Sequence, residues 1–291
     1  APAAPAPPGP AAPAPAARSR PPTPATTPAA AATTDAAAAA QAAPAGPGLL
    51  SRLLAGREAS ILAHRELDLK LGDLGGTLFL LGQAPLIAVL VGLAFTGKTE
   101  DKTIDFVLSM VATWFGCFNA SRELVKERAI FLRERRTGLP VRGYLAAKLG
   151  VLLLLGALQC LILVAVVAQY VTFKGALPLA FLSLFLTTAA ASGLGLFISA
   201  ASPSQTVAMA VVPVALIPQL VFSEAVLGNP SATAERIQRV MLATWGYELL
   251  DELRRKAPEW GVVLGHGVVL VLVTLGLMLC AGLFLRLQEE D

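Results

Sequence analysis

In a chain of 291 residues, 55% are hydrophobic and only 15% charged, and the mean hydropathy is +0.65. Soluble domains carry roughly 25% charged residues, so the composition excludes an ordinary soluble enzyme or binding module and indicates a membrane protein. The formal net charge of +3 is small and not gathered on a soluble face, which argues against nucleic acid as a partner.

Residues 1–48 are almost all Ala, Pro, Thr and Gly, and their only charges are Arg18, Arg20 and Asp35. Such a stretch cannot bury a core and reads as a disordered Ala/Pro linker. The chain starts at Ala1, and no basic stretch with a short apolar core follows, so the start is not a secretory signal. The expectation is the C-terminal part of a longer protein, with something tethered upstream.

Residues 49–77 mix Leu53, Leu54, Ile61, Leu62 and Leu67 with Arg52, Arg57, Glu58, Arg65 and Glu66 at roughly helical spacing. Two sides of unequal polarity, directly before an apolar run, suit a connecting helix lying on the membrane surface.

Residues 78–291 hold six apolar blocks: Leu78–Phe95, Ile104–Ala120, Ala146–Tyr170, Ala176–Ala201, Val207–Phe222 and Val262–Leu285. A spanning helix needs about 20 residues. No alternation of the barrel kind occurs, so the predicted fold is an all-α membrane protein with six transmembrane helices. The fifth block is short and carries Pro213 and Pro218, which bend or break a helix. Broken helices often line a transport path, although a kink that only improves packing is the plainer alternative.

Lys and Arg concentrate in one short connection, between the second and third blocks: Arg122, Lys126, Arg128, Arg133, Arg135, Arg136, Arg142 and Lys148. The positive-inside rule makes that connection cytoplasmic. Six crossings then leave both termini cytoplasmic and put 223–261 outside. That outer segment is long and of mixed sign, and its apolar positions predict short helices on the rim. The expected location is the cell's inner membrane, with multiple passes.

No catalytic or metal-binding set emerges. Cys117, Cys160 and Cys280 lie inside apolar runs, and His64 and His266 have no nucleophile near them in sequence. No glycine-rich phosphate loop is present, so this segment is expected to be neither an enzyme nor a holder of any cofactor. The interiors of the blocks are uncharged, which disfavours an ion-coupled carrier, whose working parts are buried ionisable groups. The energy source is expected outside the chain. Residues 122–137 read as a charged, modestly amphipathic helix able to dock on another protein, ended by Gly138 and Pro140. A plain positive-inside anchor is the bland alternative.

The run Phe115–Arg136, with Glu127-Arg128, Phe131 and Arg133-Glu134 followed by Gly138, Tyr144 and Lys148, resembles the membrane domain of ABC exporters of the G (white) subfamily and their bacterial type-2 permease relatives. Gln83-Ala84-Pro85-Leu86 in the first block and Ala243–Leu250 near the last are similar in the same sense. The resemblance covers about residues 49–285. It implies a permease that works as a pair, coupled through the cytoplasmic helix to a nucleotide-binding domain, fused upstream or separate, that would hold ATP and Mg. It implies that Glu127, Arg128, Arg133 and Glu134 transmit motion from that domain. It also suggests Phe115, Phe118, Asn119, Val214, Ile217 and Leu220 as lining of a path for a hydrophobic or amphipathic substrate. The rival reading from another class is a membrane anchor or signalling module for an upstream regulatory domain.

Overall fold

The computed structural model describes residues 62–97, 102–136, 138–173, 175–228, 231–255 and 257–288. The expected linker at 1–48 and the first part of the connecting segment, 49–61, lie outside them. Among the described residues every regular element is a helix. In chain order these are α1 (62–72), α2 (Leu74–Ala94), α3 (Lys102–Ala120), α4 (Glu123–Lys126), α5 (Arg128–Arg136) and α6 (Val141–Val167). They continue with α7 (Leu177–Ala201), α8 (Gln205–Val221), α9 (Glu224–Leu227), α10 (Ala232–Gln238), α11 (Leu242–Arg254) and α12 (Trp260–Leu287).

Among the described residues five helices are long and apolar enough to cross a membrane: α2, α3 with its continuation to Lys126, α6, α7 and α12. The fifth apolar block forms α8, an apolar helix of 17 residues that falls just short of that length. Both of its prolines sit inside the helix. The bundle is organised around α7, whose sequence between Thr187 and Gly195 is almost entirely Thr, Ala, Ser and Gly. Small residues let helix backbones approach closely where hydrophobicity cannot drive association. At Gly116 of α3 a Cβ would come within 2.8 Å of the Ala191 Cβ, and at Gly195 of α7 it would come within 2.7 Å of the Ala120 Cβ. The two glycines thus seat α3 and α7 against each other. Three buried hydroxyls bond within their own helices: Thr113 donates to the Ser109 carbonyl, Thr187 to that of Ser183 and Ser192 to that of Thr188, at 2.8–2.9 Å.

Helices α2 and α12 keep most of their apolar surface outward, including Leu86, Leu90, Leu264, Leu272 and Leu279. That is the surface lipid tails cover. At one end of the bundle, called here the far end, α11 buries Leu242, Leu249, Leu250 and Leu253. Gln219 of α8 caps it by accepting from the Ala243 N–H at 3.0 Å, and Arg254 pairs with the buried Asp105 of α3. The short helices expected on the rim are therefore present, and one of them is a core element.

The third long helix begins at Val141, earlier than the apolar block starting at Ala146. It takes Arg142 and Lys148 into its first turns. The reading of uncharged interiors is corrected at this point, since Lys148 belongs to a candidate span and is only 1% exposed. Arg142 faces outward, and carboxylates from other elements surround Lys148.

Candidate functional site at the charged end of the bundle

The charged connection is two helices rather than one. α4 ends at Lys126, Glu127 turns the chain, and α5 runs to Arg136. Gly138 closes α5 with φ +101°, a conformation open chiefly to glycine. Its N–H reaches the Arg135 carbonyl and the Leu139 N–H reaches that of Glu134, the paired bonds of a Schellman cap. Two fastenings hold the pair on the bundle. Ser199 Oγ of α7 accepts from the N–H groups of Leu124 and Val125, both at 3.0 Å. Arg128 donates to the carbonyls of Ala200 and Ser202, at 3.0 and 2.7 Å, where the C-terminus of α7 favours a cation. On the inner side Phe131 is buried and its ring lies 4.7 Å from that of Tyr144.

Next to this contact is a buried cluster of charge. Lys148 Nζ lies 2.6 Å from Glu66 of α1, 2.7 Å from Glu127 and 3.7 Å from Glu123. Lys70 of α1 binds Glu123 at 2.5 Å. Arg65 grips Glu134 with two nitrogens, at 2.7 and 3.3 Å, and that bond raises the guanidinium above its ordinary pKa. The connecting helix, α4–α5 and the start of α6 are thereby tied together by ion pairs, of which Lys148–Glu66 is fully buried and Arg65–Glu134 is part-exposed. Long-range electrostatics of this kind are strong only because the site is dry.

The four residues singled out for coupling therefore differ in what they do. Glu127, Arg128 and Glu134 are engaged with Lys148, with the α7 carbonyls and with Arg65. Arg133 is exposed. Around it Ala129, Ile130 and Arg136 are exposed too, at the spacing of one helix face. The outward stripe of α5 is thus basic with an apolar centre. Ile130 and Arg136 were legible only once the inner face was known.

The candidate path residues also divide. Phe115 is fully buried among α2, α3, α6 and α7. Asn119, 3% exposed, donates to Gln159 of α6 at 2.6 Å; Gln83 of α2 donates to Asn119 at 3.5 Å, and Gln159 donates to the Leu80 carbonyl at 2.7 Å. This chain of amides binds α2, α3 and α6 inside one copy. Phe118 is half-buried, stacked 6.3 Å from the exposed Trp114 and covered by Arg122 at 5.9 Å. Val214, Ile217 and Leu220 share the outward face of α8, with Val214 at 66% exposure, while Val212 and Leu216 face inward beside Cys117. Trp114 was absent from the sequence-based set, and its stacking on Phe118 is what brings it in.

Comparison with known proteins bears on this arrangement. The family model described as ABC-2 type transporter matches residues 57–253, which hold α1 to α10, all but the last residue of α11 and the entire charged end. The chain belongs to the ABC-2 type transporter family. It is a multi-pass membrane protein and a transport permease component, the part that in this family works with nucleotide-binding domains. It is also similar to the ABC transporter ATP-binding/permease protein Rv1747 of Mycobacterium tuberculosis, with 30% identity over 212 residues. That alignment takes in 66% of this chain and 24% of the relative, so the chain spans about a quarter of the relative's length. In this ABC-2 membrane domain α12 lies beyond the matched range and supplies the last apolar helix.

Proposed function

We propose that this ABC-2 membrane domain belongs to an ATP-driven exporter similar to the bacterial relatives of the G (white) subfamily. On this reading it moves a hydrophobic or amphipathic substrate across the inner membrane. The observation that carries the reading is the two-sided build of α5. Its inner face is fixed by Phe131, and Glu134 ties it to the connecting helix, while its outer face offers Ile130, Arg133 and Arg136 to a second protein. A helix bonded to the transmembrane bundle on one side and free on the other is suited to carry force. The partner on the free side is a nucleotide-binding domain, fused upstream or separate, which holds the ATP and Mg. Glu127, Arg128 and Glu134 transmit the push inward, and Arg133 receives it.

The density of Lys and Arg at the charged end supports a cytoplasmic location for α4–α5 and both termini, with α9–α11 outside and α8 as a sixth, short crossing. Two copies form the working unit. The outward residues Trp114, Phe118, Val214, Ile217 and Leu220 line the path between them, with Phe115 and Asn119 holding the second helix in position behind that surface. The test is vectorial transport. The full-length protein with its nucleotide-binding domain, reconstituted in lipid vesicles, should move a fluorescent amphiphile only when ATP and Mg are supplied. Inserted, ATP-hydrolysing protein that moves no amphiphile of any class, and serves only to hold an upstream domain at the membrane, would favour the anchor reading instead.

A further inference from the structure

We propose that the carboxylate cluster around Lys148 is a proton-binding site, and that Glu66 Oε1 is the atom that takes the proton. Glu66, Glu123 and Glu127 converge on Lys148 from α1, α4 and the turn before α5. Lys70 adds one further cation through Glu123. Three carboxylates against two ammonium groups leave one negative charge unmatched. Among the described residues no other cation forms an ion pair with these three carboxylates. Arg65 also acts on Glu66 and Glu127 through its charge, but its hydrogen bonds go to Glu134, whose own negative charge it balances. Arg128 keeps its charge but directs its hydrogen bonds to the carbonyls at the end of α7 and forms no ion pair with the three carboxylates. Tyr144, whose ring lies under Lys148, brings a neutral phenol whose oxygen has no hydrogen bond. An unmatched charge shielded from water is strongly unfavourable, and a titratable group in that position neutralises itself instead.

The three carboxylates are not equivalent candidates. Glu123 contacts both ammonium groups. Glu127 keeps some solvent contact. Glu66 is 3% exposed, and while its Oε2 binds Lys148, its Oε1 is buried with no hydrogen-bond partner. A proton there removes the excess charge and costs no existing bond. Burial pushes the Glu66 carboxyl above the usual carboxylate range. Lys148 pulls it back, and Glu127 and Glu123 add to the rise. A metal ion does not suit the position. The Lys148 ammonium already occupies the point where the carboxylates meet, and no metal-holding group of His, Cys, Asp or Glu occurs among the described residues.

The sign of the pH dependence follows. Unfolded, Glu66 titrates near the ordinary value of about 4.3. Between that value and its raised folded value, the folded chain holds one proton more than the unfolded chain. Stability is therefore fully present in acid and is lost as pH rises through the folded value. The joint between the connecting helix, α4 and α6 is tightest when Glu66 is protonated.

The test is pH-difference infrared spectroscopy of the full-length protein in lipid nanodiscs. A protonated-carboxyl band should persist to pH above the ordinary glutamate range and be lost in Glu66→Gln. It should move to lower pH in Glu127→Gln, where the charges balance without a proton. The midpoint of thermal unfolding should fall as pH is raised in the parent protein and stay flat in Glu66→Gln. No such band in the parent, or a band unchanged by Glu127→Gln, overturns the proposal even if Glu66→Gln fails to fold. None of these readouts involves transport, so the outcome is independent of the function proposed above.

Discussion

Lys148 shows how much of this protein's charged end is decided by single side chains. One ammonium group is the shared partner of carboxylates from three segments, at 2.6–3.7 Å. Removing one member of a buried ion network strands the others and typically costs about 3–5 kcal/mol. Lys148→Met should accordingly lower the thermal unfolding midpoint sharply in nanodiscs. Adding Glu66→Gln and Glu127→Gln to it should recover most of the loss, because no uncompensated charge then remains. Equal stability of parent and Lys148→Met would mean the cluster holds nothing together. Little of this was readable beforehand. In sequence Lys148 is one more basic residue in a basic connection, and the partner that buries it, Glu66, is 82 positions away. Asn119 is a similar case. Its amide was suggested as lining for a path, and only its bond to Gln159 shows which helices it joins.

Among whole elements, the apolar blocks were legible because each crossing must satisfy its backbone internally and present carbon to lipid. The blocks at 78–95, 104–120, 176–201 and 262–285 correspond to α2, α3, α7 and α12 within a few residues at each end. The start of α6 was not legible, because an apolar block read from the sequence stops short of Arg142, which α6 nevertheless takes into its first turn. The role of α11 was hidden too, since Arg254 and Asp105 are 149 positions apart. Packing at this scale gives a sharp comparison. Gly195 faces the Ala120 Cβ with no room for a side chain, whereas a Cβ on Gly265 of α12 would meet nothing within 4 Å. Gly195→Val should push α3 from α7 and destabilise by about 1–3 kcal/mol or more, seen as reduced yield of monodisperse protein and a lower unfolding midpoint. Gly265→Val, pointing toward lipid, should leave both unchanged. Equal tolerance of the two changes would contradict the close α3–α7 contact.

The molecule as a whole is a bundle in which mechanical connection and apolar surface are separated. The charged end joins α1, α4–α5, α6 and the end of α7 into one fastened unit. The sides of α2, α8 and α12 are left apolar. The proposed function fits such a division, because energy supplied by a separate nucleotide-binding domain would enter at the fastened end. On the proposed function the energy enters through the outward stripe of α5. Arg133→Glu tests this most directly, since Arg133 is exposed and its replacement disturbs no buried pair. In vesicles containing the full-length protein, the account predicts normal insertion and continuing ATP hydrolysis, with ATP-driven movement of the amphiphile reduced at least tenfold, about 1.4 kcal/mol of lost coupling. Transport at the parent rate in a correctly inserted Arg133→Glu protein would contradict it.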